Sequence, residues 1–361
     1  MTLYSSAEFG ALQLSNRVVM APLTRTRADE DGVPTDVMVE YYRQRAGQGL
    51  IITEGTWPAV EGKSYPGQPG IVTPEQIEGW RRIADAVHEA GGTIVMQLMH
   101  GGRISHPEIS GVDRVVAPSA VAAPGQTHTP SGKADLPVPH ALTADELPEV
   151  VEQFAQAARN AIAAGLDGVE VHGANGYLVH EFLSPVSNVR DDEYGGSPEN
   201  RARFAIEVTR AVAGAVGGER TGIRLSPAHG IQGVIEDDAD DVRATYTAVA
   251  NGLAALGLAF VDVLQADPRG ELVQSIRASA KAPLIVNSGF SAETTREEAE
   301  ELVEEGWADA VAVGRPVIAN PDLVERWQNR ADLNAPRPEL FYGFTAEGYT
   351  DYPALAESRS A

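Results

Sequence analysis

Eight short apolar runs punctuate the chain, and most are followed by a polar loop and then a longer Ala/Glu-rich stretch with helical spacing. The runs are "RVVMAP" from Arg17, "GLIITE" from Gly49, "TIVMQL" from Thr93 and "DGVEVH" from Asp167. They continue with "TGIRLS" from Thr221, "AFVDVL" from Ala259, "PLIVNS" from Pro283 and "DAVAVG" from Asp309. Val and Ile dominate them with little polar alternation, the signature of strands buried on both faces. The stretch "TPEQIEGWRRIADAVHEAGG" predicts a helix with Thr73 as N-cap, Pro74 at its first position and glycine at its end. "TADELPEVVEQFAQAARNAIAAG" places Thr143 and Glu146 at capping-box spacing, and "SAETTREEAEELVEEG" offers Ser291 as N-cap with Gly306 near the end.

Eight strands alternating with helices predict an α/β fold, a (β/α)8 TIM barrel, in a single domain over 1–361. A doubly wound sheet is the alternative, but it would gather its ligand at one switch point. Here polar residues follow nearly every run, which suits a barrel mouth. The Pro/Ser/Gly-rich segment 101–142 is too long for a plain connection and is expected to form a subdomain over that mouth. Residues 354–361 read as a frayed tail.

Composition narrows the function. With 28 basic and 51 acidic residues the net charge is −23, which repels nucleic acid and anionic membranes. The absence of cysteine excludes disulfides, thiolate metal sites, Fe–S clusters and a cysteine nucleophile. No apolar stretch is long enough to span a membrane, and the first residues lack the pattern of a signal peptide. The expectation is a cytoplasmic protein with small-molecule partners, as a monomer or a homo-oligomer.

Several apparent motifs fail. "GTWPAVEGKS" needs glycine where Trp57 stands to be a phosphate-binding loop. No G-x-G-x-x-G opens a helix after a strand. His180 and Glu181 would begin a zinc motif, but Ser184 occupies the second histidine's place. His100 and His106 lack an accompanying carboxylate set, so no metal site is expected.

In such a barrel, chemistry sits at the C-terminal ends of the strands. Reading those ends in order gives Pro22, Leu23 and Thr24, then Glu54 and Gly55, then Gln97 and His100. Next come His172, Asn175 and Tyr177, then Arg224. The last two ends are Asn287 to Gly289, and Gly314 with Arg315. Two glycines and a guanidinium between strands seven and eight suit a phosphate group, although loop glycines beside a surface arginine would read the same way. Gln97 and Arg224 lie within apolar runs and each needs a partner. A ligand in the mouth would satisfy Arg224, and so would an ion pair with a core carboxylate such as Glu170. Neighbouring backbone could satisfy Gln97. His172, Asn175 and Tyr177 are either a site or a polar turn capping the strand, with Gly173 and Gly176 letting the chain turn.

Ordered motifs across the chain resemble the Old Yellow Enzyme family of flavin-dependent ene-reductases. They include "NRVVMAPLTRTRA", "EYYRQRAGQGLIITEGT", "MQLMHGGRISH", "GVEVHGANGYLVHEFLSPVSNVRDDEYGGSPENRARF", "DAVAVGRPVIANPDL" and "FYGFTAEGYTDYP". The resemblance implies a barrel with an N-terminal β-hairpin and a long insertion after strand three, binding FMN non-covalently at its mouth. By motif, Pro22, Leu23 and Thr24 would border the isoalloxazine, and Gly55 and Gln97 its pyrimidine side. Arg224 would stabilise charge near N1, and Gly289, Gly314 and Arg315 would hold the phosphate. His172 and Asn175 would donate to the substrate oxygen, and Tyr177 would be the proton donor. Tyr65, Met99 and Tyr342 would line the substrate pocket. The implied reaction takes hydride from NADPH or NADH to flavin N5, then to the Cβ of an electron-poor alkene such as an unsaturated carbonyl, a maleimide or a nitroalkene.

Two positions depart from the family pattern. Met99 stands where a tryptophan is common, which makes a roomier pocket. Asn175 stands where a second histidine is common, and an amide donates but cannot carry charge. Two other readings compete: a barrel lyase or isomerase acting on a phosphorylated substrate with His172 as base, and a flavin-binding protein without turnover.

Overall fold

The structure, a computed structural model, describes residues 1–290 and 292–355. Each apolar run forms a strand: β1 Val18–Met20, β2 Leu50–Ile52, β3 Ile94–Leu98, β4 Gly168–Gly173, β5 Thr221–Leu225, β6 Phe260–Leu264, β7 Leu284–Asn287 and β8 Ala310–Val313. Each pairs in parallel with the next, and β8 pairs with β1, so the sheet closes into a barrel.

Period-two alternation sorts the strand residues into two cores. Val18, Met20, Ile51, Met96, Val169 and Val171 face outward against the helices. Val19, Leu50, Ile52, Val95, Phe260, Ile285 and Ala312 fill the lumen. The expected N-terminal hairpin, Ala7–Phe9 with Leu12–Leu14, joins this inner core through Phe9, Leu12 and Leu14.

The helices follow their capping chemistry where the backbone permits. α1 is Asp36–Gln44, and α2, Pro74–Glu89, has the complete capping box between Thr73 and Gln76. α3 departs from expectation. Thr143 is not its N-cap, because the helix is Leu147–Ala163 and Glu146 precedes it. A start at Thr143 would put Pro148 inside the helix, where its ring meets the carbonyl four residues back. The Thr143–Glu146 contact survives outside the helix, with the Thr143 N–H donating to the Glu146 carboxylate at 2.8 Å. Later come α4 (Pro198–Val216), α5 (Ala239–Leu253), α6 (Glu271–Ala280) and α7 (Arg296–Glu304). Thr295 caps α7, and Ser291, expected in that role, lies outside the described residues.

The segment 101–142 carries small elements of its own, chiefly a hairpin of Gln126–Thr129 with Gly132–Asp135. At the other end of the chain, Leu355 is buried rather than frayed, and residues 356–361 lie outside the described residues. Two buried arginines fasten the preceding segment to the mouth. Arg25 donates to the Tyr41 hydroxyl and to the carbonyls of Phe341 and Gly348, and Arg27 to those of Phe341 and Leu340. No helix among the described residues is long and apolar enough to cross a membrane.

Candidate active site

A cavity of about 930 Å³ opens at the C-terminal ends of the strands, a volume suited to a large small-molecule ligand. The loop after β1 brings Pro22, Leu23 and Thr24 to its wall. That loop is held from behind, since the backbone N–H groups of Arg25 and Thr26 donate to the buried Glu54 carboxylate at 3.1 and 3.2 Å. Gln97 on β3 and Arg224 on β5 reach the cavity from the lumen side.

Gly55 is the exception among the expected site residues, for it does not line the cavity. It lies beneath Met99, where an added Cβ would sit 2.5 Å from the Met99 sulfur. Its absent side chain makes room for Met99, which does line the cavity.

At the end of β4 the strand delivers His172, and the turn after it delivers Asn175 and Tyr177. Gly173 plays no part in that turn, since it stays in the strand, paired with Leu225. The turn is made by Asn175 (φ 59°) and Gly176 (φ 81°), both in the left-handed region that asparagine and glycine tolerate best. Three contacts hold it. The Asn175 N–H donates to Ser226 Oγ at 2.8 Å, and Gln232 donates to the Asn175 carbonyl at 2.9 Å. The Gly176 N–H donates to Nδ1 of the buried His180 at 3.0 Å. His180, set aside as a zinc ligand, also contacts the Tyr246 hydroxyl and Glu236.

Burial and the nearby Arg224 charge hold the His172 pKa well below the usual histidine value, so the ring is neutral at pH 7. Burial raises the Tyr177 phenol above its ordinary value, against the hydrogen bonds of Tyr65 and Gln232, so it keeps its proton. The His172 and Tyr177 rings are 5.3 Å apart. His172 Nδ1, Asn175 Oδ1, Arg224 Nε and Gln232 Oε1 are buried and have no hydrogen-bond partner among the described residues. All four residues line this one cavity, and buried polar groups ordinarily have partners.

Between β7 and β8 the cavity is bordered by Gly289, Gly314 and the exposed Arg315. A Cβ on Gly314 or Gly289 would meet only one atom each, at 3.6 and 3.8 Å, so both leave open space. The Gly289 N–H is taken by Asn287 Oδ1 at 3.0 Å, which leaves Arg315 as the charged donor there. Elsewhere on the rim, Tyr65 contacts Tyr177, while Tyr342 is 68% exposed at the opening.

Arg224 is ion-paired inside the barrel, but with Asp262 on β6 rather than with Glu170. Glu170 instead accepts from Gln97 Nε2 at 2.8 Å. Gln232, Phe290 and Phe344 also line the cavity and were not singled out by the strand ends. Gln232 and Phe344 sit well into loops, away from any strand end, although Phe344 lies in the quoted "FYGFTAEGYTDYP" motif, and Phe290 directly follows Gly289, one residue past the stretch read at the end of β7. Of the two histidines weighed as metal ligands, His100 lies against Glu61 at 3.9 Å, and His106 caps its own short helix.

The model of the NADH:flavin oxidoreductase / NADH oxidase family matches residues 2–334. The chain belongs to the Old Yellow Enzyme family. It is 46% identical to a probable flavin mononucleotide-dependent alkene reductase of Leishmania infantum, covering 96% of this chain and 95% of the other. The Old Yellow Enzyme homologue of Zymomonas mobilis superposes with a TM-score of 0.93 at 43% identity, covering 98% of this chain and 100% of that one. Morphinone reductase in complex with tetrahydroNAD gives 0.91 at 42%, covering 98% of each chain. Membership makes the chain an FMN-dependent flavin oxidoreductase with a nicotinamide reductant, and it removes the lyase or isomerase reading.

Proposed function

We propose that this chain reduces the C=C bond of electron-poor alkenes, with Tyr177 as proton donor. The carrying observation is the buried, protonated Tyr177 phenol beside neutral His172, both facing the cavity that Gln97 and Arg224 enter from below. The residues present fit FMN: open backbone at Gly289 and Gly314, a free Arg224 Nε, and a cavity of sufficient volume. Thr24, Gln97 and Arg224 would bind its ring system, and Gly289, Gly314 and Arg315 its phosphate. When bound, FMN supplies the hydride chemistry.

The chain's own residues orient the alkene and supply the proton. The neutral His172 ring donates one N–H and Asn175 its amide to the carbonyl or nitro oxygen, where negative charge develops. That withdraws electron density from Cβ and stabilises the enolate. Tyr177, with Tyr65 against its hydroxyl, holds the proton for Cα. Met99, Tyr65 and Tyr342 shape the pocket around the substituents.

The test is an absorption spectrum followed by anaerobic titration with NADH and with NADPH, then re-oxidation by cyclohexenone or a maleimide. Yellow protein that is reduced by a nicotinamide and re-oxidised by the alkene supports the proposal. Colourless protein after FMN reconstitution overturns it. Yellow protein that the alkene leaves reduced makes the chain a flavoprotein without this turnover.

A further inference from the structure

Beneath the cavity lies a layer of charge that the proposed reaction does not use. Glu170 on β4 and Asp262 on β6 are wholly buried, and neither lines the cavity. Each holds a residue that does: Asp262 the guanidinium of Arg224, Glu170 the amide of Gln97. One oxygen of each carboxylate has no hydrogen-bond partner among the described residues. Arg224 and Asp262 are register partners on adjacent strands, as are Glu170 and Gln97. Resting on the reading of the cavity as a flavin site, we propose that Glu170 and Asp262 are positioning residues whose combined charge sets the reduction potential of the bound flavin through Gln97 and Arg224.

Two carboxylates face one guanidinium in a space closed to water, and the inward positions of β1, β2, β7 and β8 include the apolar Val19, Leu50, Ile52, Ile285 and Ala312. Ionising both carboxylates would leave one buried negative charge uncompensated, which is costly. Asp262 has the arginine and Glu170 only a neutral amide, so Glu170 is the one that keeps a proton. The groups facing Glu170 are Asp262, Arg224 and Gln97, with neutral His172 one step up its own strand. Burial, and then the Asp262 charge, push Glu170 up to about 8. Reduction of a flavin adds negative charge above this layer, and charge near the ring is one of the protein's few levers on its potential.

The experiment measures the potential of the FMN-loaded protein by anaerobic spectrophotometric titration, from below to above about pH 8, for wild type, Glu170→Gln and the double variant Glu170→Gln, Asp262→Asn. The double variant leaves the Arg224 charge without a carboxylate and favours reduced over oxidised flavin at least tenfold, about 30 mV for a two-electron couple. Glu170→Gln leaves the potential at neutral pH unchanged. It removes the steepening of potential against pH that wild type shows above about pH 8, where Glu170 takes up a proton on reduction. If the double variant fails to fold, the slope of Glu170→Gln decides. Wild type that binds no FMN overturns the flavin reading and this inference with it. FMN-loaded variants that keep the wild-type potential and slope overturn this inference alone.

Discussion

The hydroxyls of Tyr65 and Tyr177 lie 2.8 Å apart in the cavity wall. The contact orients the Tyr177 phenol without a charged partner, which suits a group that must give up its proton late. Tyr177→Phe is expected to keep reduction by the nicotinamide and to slow re-oxidation by enones by about 100-fold or more, the usual range for losing a general acid. Stopped-flow measurement of the two half-reactions separates the effects, and an unchanged oxidative rate across several enones removes Tyr177 as donor. Tyr65→Phe should slow the same half-reaction by a smaller factor.

Phenols mimic the enolate and should sit with their oxygen between His172 and Asn175. His172→Ala is expected to weaken phenol binding by roughly 10- to 100-fold, the worth of one hydrogen bond to a charged oxygen. Flavin spectral shifts give the affinities, and equal values in wild type and variant refute the assignment. Because burial and Arg224 keep His172 neutral, and Asn175 does not titrate, binding should show no protein group titrating near the ordinary histidine pKa.

Gly55 acts through its neighbour. A Cβ there would lie 2.5 Å from the Met99 sulfur, a flexible side chain that can yield. Gly55→Ala should therefore push Met99 toward the cavity, raising KM for bulky β-substituted enones more than for cyclohexenone, with little change in Tm. Equal changes in KM for both substrates would refute this packing relation.

Glu61 ties the β2 loop to the insertion and to α3. It accepts from Arg114 at 2.7 Å and from Gln153 at 3.2 Å, with His100 nearby. Burial alone would raise its pKa, but His100, Gln153 and Arg114 together hold it at about 2. A carboxylate depressed on folding contributes stability that is fully present above its unfolded pKa, about 4.3. That contribution is lost as the pH falls through about 2. Glu61→Gln should lower stability at neutral pH by a few kcal/mol, on the order of its pKa shift, and flatten the acid limb. Urea denaturation midpoints across the acid range give the comparison, and parallel curves for the two proteins contradict it.

The barrel was legible because strands buried on both faces leave an unbroken Val/Ile run, and eight such runs recur with helices between them. Most of the residues expected at the mouth do line the cavity, because the C-terminal ends of the strands open onto it. What escaped depended on neighbours in space. Whether Arg224 meets Asp262 or Glu170 follows from inter-strand register, which one sequence does not encode locally. Gly55 keeps its strand-end position but is covered by a side chain from the next strand. Gly173 looks like a turn residue until β5 pairs with it, which leaves Asn175 to take the left-handed backbone. Thr143 has a cap's spacing, but Pro148 moves the helix start downstream.

The hairpin of Phe9, Leu12 and Leu14 closes the lower end of a lumen already filled with side chains, so the cavity at the strand ends does not continue through the barrel. On the proposed function, two reactants that both need the same floor would then take turns at a common entrance. An excess of either is then expected to stand in the other's way, so the proposed reaction carries competition between reductant and alkene before any side chain in the pocket is chosen.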